Sequence, residues 1–147
     1  MEIMKKICVI DGQGGGIGSA IIKKIKEAYE ERVEVIALGT NAIATAQMLK
    51  ARANRGASGE NAIVQTVKSV DVIIGPLGVI IAHAMMGEVT PGIAEAISAS
   101  PAIKFLIPLS QENVKVIGVS EMPLPHLIEE LIDTRLNQII RDDKERA

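Results

Sequence analysis

An unbroken apolar run, Ile7, Cys8, Val9 and Ile10, ends in Asp11 and then in five glycines within seven residues: Gly12, Gly14, Gly15, Gly16 and Gly18. A run without polar interruption is what a central parallel strand needs, because both of its faces are covered. Glycines at its end supply positions that tolerate positive φ and put no side chain in the way of an approaching group. Ile17, Ala20, Ile21, Ile22, Ile25, Ala28 and Tyr29 then recur at helical spacing, which places a helix start near Gly16. Free N–H groups and the dipole at such a start favour an anion, typically a phosphate.

The spacing of the glycines bears on the ligand. Gly12, Gly16 and Gly18 form GxxxGxG, which resembles the cofactor loop of short-chain dehydrogenases. The dinucleotide pattern GxGxxG fails from Gly12, where Ile17 takes the last place, and is met from Gly14 only if Ser19 replaces the third glycine. A P-loop is excluded because no lysine lies between Lys6 and Lys23 to reach a β- or γ-phosphate. GGGIGSA also resembles the glycine signature of tubulin-like GTPases, but the chain is too short for that whole domain. Asp11 either caps local N–H groups or faces a ribose or metal; a carboxylate pointing into the loop would repel phosphate, which favours capping.

The rest of the chain alternates strand and helix. Residues 33–38 read as a second strand closed by Gly39, after which Thr40 or Asn41 caps a helix carrying Ile43, Ala44, Ala46, Met48, Leu49 and Ala53. Residues 54–60 read as a glycine-punctuated loop, and Glu60 and Asn61 as polar residues at the N-terminus of a short helix. Residues 69–78, SVDVIIGPLG, read as a third strand with a second glycine turn. Two helices are expected over residues 79–86 and 91–100, the second with Thr90 as N-cap and Pro91 in its first turn. His83, set among apolar residues, reads as a core histidine. Strands follow over residues 103–108 and 114–119; the connection between them is too short for a parallel crossover, so they are expected to pair antiparallel, with the last at the edge. An amphipathic stripe from Leu124 to Ile140 closes the chain as a helix.

These elements predict one domain over residues 1–147 of α/β class: a Rossmann-like three-layer sandwich with a mostly parallel sheet of about five strands and an antiparallel edge strand. The strand order stays open between 3-2-1-4-5 and 2-1-3-4-5. In such a sheet ligands bind outside the carboxyl ends of the strands. The expected cofactor site is therefore Asp11, Gly12, Gln13, Gly14, Gly15, Gly16, Ile17 and Gly18, completed by Thr40 and Asn41 and by Gly75, Pro76 and Gly78. NAD or NADP is the expected nucleotide. The second strand ends without the carboxylate that holds a ribose diol, which leans towards NADP, yet no Arg or Lys stands beside Thr40 and Asn41, so the choice between the two stays open.

Composition narrows the alternatives. A net charge of −2 with interspersed signs, one Phe, one Tyr and no Trp argue against nucleic-acid binding. Cys8 is the single cysteine, which excludes a disulfide framework and predicts a buried structural thiol and a cytoplasmic protein. The glycines interrupt the first apolar run too early for a signal peptide. The longest uncharged stretch, residues 72–87, falls short of the roughly 20 apolar residues a membrane span needs. Aliphatic content over residues 79–86 and 124–140 predicts a homodimer.

VIDGQGGGIG, VIALGTNAIATAQMLKA, GASGENAIV, VDVIIGPLGVIIA, GEVTPGIAEAIS and PLPHLIEELI together resemble a family of short bacterial proteins labelled only as a domain of unknown function. The resemblance covers nearly the whole chain and implies no activity. The dehydrogenase resemblance is local: its catalytic Tyr with Lys four positions on is absent, since Tyr29 is followed at that distance by Val33. Two histidines and one cysteine lie far apart without metal-ligand spacing, and Ser19 lacks the second glycine of a nucleophile elbow. Whether the protein is an enzyme is left open. The alternative to nucleotide binding is a non-catalytic regulatory or assembly module whose glycines serve only the turn.

Overall fold

The computed structural model describes residues 4–109 and 112–140. Strand and helix alternate through most of the chain: β1 (Lys5–Asp11), α1 (Gly16–Tyr29), β2 (Val33–Gly39), α2 (Ala42–Lys50), β3 (Arg55–Ser58), α3 (Glu60–Thr66), β4 (Val72–Pro76), α4 (Pro91–Ala99), β5 (Ile103–Ile107) and α5 (Leu124–Glu130). A π-helical stretch, Leu131–Leu136, continues α5. The sheet runs β3-β2-β1-β4-β5, and every pairing is parallel. The chain builds outward from β1 to β3 and then returns to the other side of β1, so the topological switch lies between the carboxyl ends of β1 and β4.

Alternation along the strands divides the core into two layers. Ile7 and Val9 of β1 pack with Val35, Val72 and Ile74 under α1, α2 and α5, while Cys8 and Ile10 pack with Ile36, Leu38 and Ile73 under α3 and α4. This is the three-layer Rossmann-like sandwich expected from the sequence. Ile21, Ile22 and Ile25 of α1 are wholly buried, each burial stabilising the fold by about 1.5–3 kcal/mol. Cys8 is likewise buried, and burial pushes its thiol pKa far up, which makes it inert.

Four expectations are corrected. The outer strand β3 lies within the segment read as a loop; all four residues of RGAS are exposed, so the edge strand carries no apolar alternation to reveal it. The antiparallel edge strand over residues 114–119 does not form: those residues are exposed and irregular, Gly118 has φ +89°, and the sheet ends at the parallel strand β5. Val114, Lys115 and Val116 have strand-like alternation, but among the described residues they pair with no strand. The helix expected over residues 79–86 is instead a 3-10 turn, Leu77–Ile80, and a loop in which His83, Met85 and Met86 all adopt positive φ. Left-handed residues cannot continue a helix. His83 is exposed, not a core histidine.

The C-terminal stripe packs within the single chain. Leu127, Ile128, Leu131, Ile132 and Leu136 join the α1 layer, and the buried Tyr29 hydroxyl donates to the Ile132 carbonyl. Among the described residues no helix is long and apolar enough to cross a membrane.

Candidate functional site

The glycine turn lies where β1 meets α1, at the carboxyl edge of the sheet. Its shape is set by Asp11, a 4 %-exposed carboxylate that folds back over the turn. Oδ1 accepts from the Gly12 N–H at 2.8 Å and Oδ2 from the Gly18 N–H at 2.7 Å, with the Ile17 N–H bonding to the same group. Of the two roles open to Asp11 from the sequence, capping is the one observed. Burial pushes its pKa up, the three N–H groups oppose that without cancelling it, and the nearby Glu88 adds to the rise.

Gly18 is where the close approach happens. A Cβ there would stand 2.5 Å from Met48 Sδ and 3.0 Å from Asp11 Cβ, so only glycine lets α1 begin this near its own strand and α2. Gly15 takes φ +73° and donates to the Gly12 carbonyl.

Counting donors around the turn shows what remains for a ligand. Gly12, Ile17 and Gly18 are used by Asp11, Gly15 by the Gly12 carbonyl, and Gln13 by Glu88. Among the described residues the Gly14 and Gly16 N–H groups have no acceptor. Both glycines are exposed, and a Cβ at either would meet nothing within 4 Å. The open positions of the turn are thus Gly14 and Gly16, on either side of the buried Gly15 at the start of α1.

The end of β2 lies alongside. Thr40 N–H donates to the Asp11 carbonyl at 3.0 Å, which ties the two strand ends together. Asn41 is the N-cap of α2, its Oδ1 accepting from Ala44 N–H, and its Nδ2 donates to the Gln13 carbonyl at 3.0 Å. Gln13, Thr40 and Asn41 are therefore brought together at adjacent strand ends.

Gly75, Pro76 and Gly78 reach the same edge but are buried. Gly75 lets β4 pack on β1, since a Cβ would stand 2.5 Å from the Ile10 carbonyl oxygen. Gly78 is covered by residues 81–89, with Met85 Cε and Ala84 Cβ 3.6 and 3.7 Å from where its Cβ would be. Glu60, at the start of α3, accepts from the Thr90 hydroxyl, and Thr90 caps α4. Both are structural contacts.

Glu88 is the residue that sequence reasoning missed. It follows Gly87 in the connection from β4 to α4 and reaches across to β1 and β2. Its Oε1 accepts from Gln13 N–H at 2.9 Å, Thr40 Oγ1 at 2.7 Å and Asn41 Nδ2 at 2.7 Å. Burial acts to raise its pKa, but the hydrogen bonds from Thr40, Gln13 and Asn41 outweigh it and hold the carboxyl below its usual range. The only hint in the sequence is an acid in a loop that must leave the carboxyl end of a central strand.

A groove of about 590 Å³ between α3 and α4 and a hollow of about 350 Å³ beside β3, lined by Lys6, Arg55 and Thr66, include none of the turn residues. With this geometry in view, comparison with known proteins gives the family. The chain belongs to the family described as "Domain of unknown function (DUF3842)", whose sequence model matches residues 6–140 and so spans the whole site. No curated protein matches it.

Proposed function

We propose that this member of the family binds a nucleotide, NAD or NADP in first place, along the carboxyl edge of its sheet. The Gly14 and Gly16 N–H groups contact the phosphates, and Thr40 and Asn41 lie beside the adenosine ribose. One observation carries this reading: two unpartnered backbone donors in open space at the N-terminus of α1, beside the topological switch of a parallel sheet ordered 3-2-1-4-5. The GxxxGxG spacing of Gly12, Gly16 and Gly18 supports a dinucleotide over a triphosphate held by a P-loop lysine.

Calorimetric titration with NAD, NADH, NADP, NADPH, ATP and GTP tests it. Saturable binding of an adenine nucleotide is expected, and silence towards all six at millimolar concentration contradicts it. A second reading, a non-catalytic module that takes no nucleotide, draws on the way Met85 and Glu88 cover Gly12. Capture of a stoichiometric protein partner together with that silence would favour it.

A cytoplasmic homodimer belongs to the same proposal. Val114, Val116, Ile117 and Val119 form an exposed apolar run that a second copy would cover. Light scattering after gel filtration at low micromolar concentration is expected to give twice the chain mass; a monomeric mass rejects it.

A further inference from the structure

We infer that residues 81–89 are a built-in occupant of the nucleotide site: Glu88 occupies donors that an oxygen of the ligand takes, Met85 fills the crevice between the two glycine turns, and a nucleotide binds by displacing these two side chains. This rests on the nucleotide reading above and adds how the site is guarded and what chemistry opens it.

Three donors from two strand ends, Gln13 N–H, Thr40 O–H and Asn41 N–H, converge on one oxygen of Glu88. These charge-assisted bonds to the carboxylate use up donors that a ribose or phosphate oxygen of a ligand would otherwise take. All three belong to residues proposed above to line the nucleotide site, and the carboxylate they hold comes from elsewhere in the chain. Met85 is placed in the same way. Its Sδ lies 2.6 Å and Glu88 Oε1 3.2 Å from where a Gly12 Cβ would be, while Met85 Cε faces Gly78. One side chain thus spans the interval between the β1 turn and the β4 turn, where the topological switch would otherwise open a crevice.

The segment is anchored in the core on either side of an exposed tip. Ala84 and Val89 are buried in the α4 layer and joined by a hydrogen bond from Val89 N–H to the Ala84 carbonyl. Between these anchors Met85, Met86 and Gly87 all take positive φ, and Met86 is 96 % exposed. Left-handed backbone at two consecutive non-glycine residues is strained, and it is held by backbone bonds within the segment (Gly87 N–H to the His83 carbonyl, Glu88 N–H to the Met85 carbonyl), by the Met85 N–H bond to Glu112 and by the three bonds to the Glu88 carboxylate. Releasing the Glu88 carboxylate removes the three bonds that tie this turn to the ends of β1 and β2.

Occupancy of this kind lowers apparent affinity by the fraction of molecules that are open. Removing the occupant should therefore tighten binding, opposite in sign to removing a ligand contact. Titration of the whole chain with NAD and ADP is compared for wild type, Glu88→Ala and Glu88→Gln. Glu88→Ala is expected to bind roughly tenfold tighter or more. Glu88→Gln, which keeps an acceptor oxygen without charge and guards against a folding defect, should gain less. Amide exchange across residues 82–88 should rise in Glu88→Ala and when nucleotide is added to wild type. Weaker binding by Glu88→Ala would make Glu88 a ligand contact, and unchanged binding would put it out of the ligand's way; either overturns the inference and leaves the nucleotide reading standing. Binding by none of the three proteins rejects both.

Discussion

Gly16→Val is expected to fold normally and lose nucleotide binding, whereas Gly18→Val is expected to lose about 3 kcal/mol of stability. The two glycines belong to one motif and stand two residues apart, yet their surroundings differ. A Cβ at Gly16 meets nothing within 4 Å and projects into the space beside the unpartnered Gly14 and Gly16 donors. Valine in the first turn of α1 costs little and no positive φ forbids it, so its branched side chain excludes ligand without disturbing the core. At Gly18 the Cβ alone would stand 2.5 Å from Met48 Sδ and 3.0 Å from Asp11 Cβ. Met48 can shift; Asp11 cannot without breaking its bonds to Gly12 and Gly18, and valine adds two further methyl groups. Urea denaturation gives the stability of each variant and calorimetry the binding. Wild-type affinity in a folded Gly16→Val protein would move the ligand away from the turn.

Gly75→Ala should be equally damaging to stability although it adds a single methyl, with an expected loss of about 3 kcal/mol. The obstacle is backbone: the new Cβ would lie 2.5 Å from the Ile10 carbonyl oxygen. That oxygen belongs to β1, whose pairing with β4 runs through Ile7–Val72, Cys8–Ile73 and Val9–Ile74, so it moves only if the central pair separates. For a domain of this size the loss corresponds to a melting temperature lower by roughly 6–12 °C. Gly14→Ala is the matched control, since nothing lies within 4 Å and no positive φ is needed there; its stability should stay within about 1 kcal/mol of wild type. A melting temperature for Gly75→Ala equal to that of wild type would show that β1 and β4 do not approach as described.

Much of this arrangement is written locally. The four apolar residues of β1 lie in two core layers because neighbouring side chains on a strand point to opposite faces, and the glycines mark the turn to α1. Asn41 before α2 and Thr90 before Pro91 are legible caps because capping depends on residues within three positions. What was not legible depends on partners distant in the chain. The exposed RGAS becomes β3 only because Gly39 and its predecessors in β2 offer a free edge, as the pairing of Ile36 with Arg55 through Gly39 with Ser58 shows. Residues 114–119 have the converse problem, strand-like alternation with no partner.

Asp11 and Glu88 show the same division within the site. The choice between capping and ligand contact at Asp11 is settled by the helix start seven residues on. Glu88 bonds to groups 75, 48 and 47 positions away, a separation that no local pattern spans. The second strand ends without an acid of its own, and the carboxylate that meets Thr40 and Asn41 reaches them from the connection after β4 and takes up their donors.

The central claim is that a nucleotide sits on the open part of the glycine turn. Two-dimensional amide NMR of the uniformly labelled protein during titration with NAD and NADP locates any ligand directly, because Gly14 and Gly16 have donors in open space and Gln13, Thr40 and Asn41 lie next to them. Saturable shifts at Gly14, Gly16, Gln13, Thr40 and Asn41 are predicted, with Met85 to Glu88 moving in parallel. Shifts confined to the groove around Lys68, Gly92 and Ala96, or no shifts at millimolar nucleotide, would contradict it.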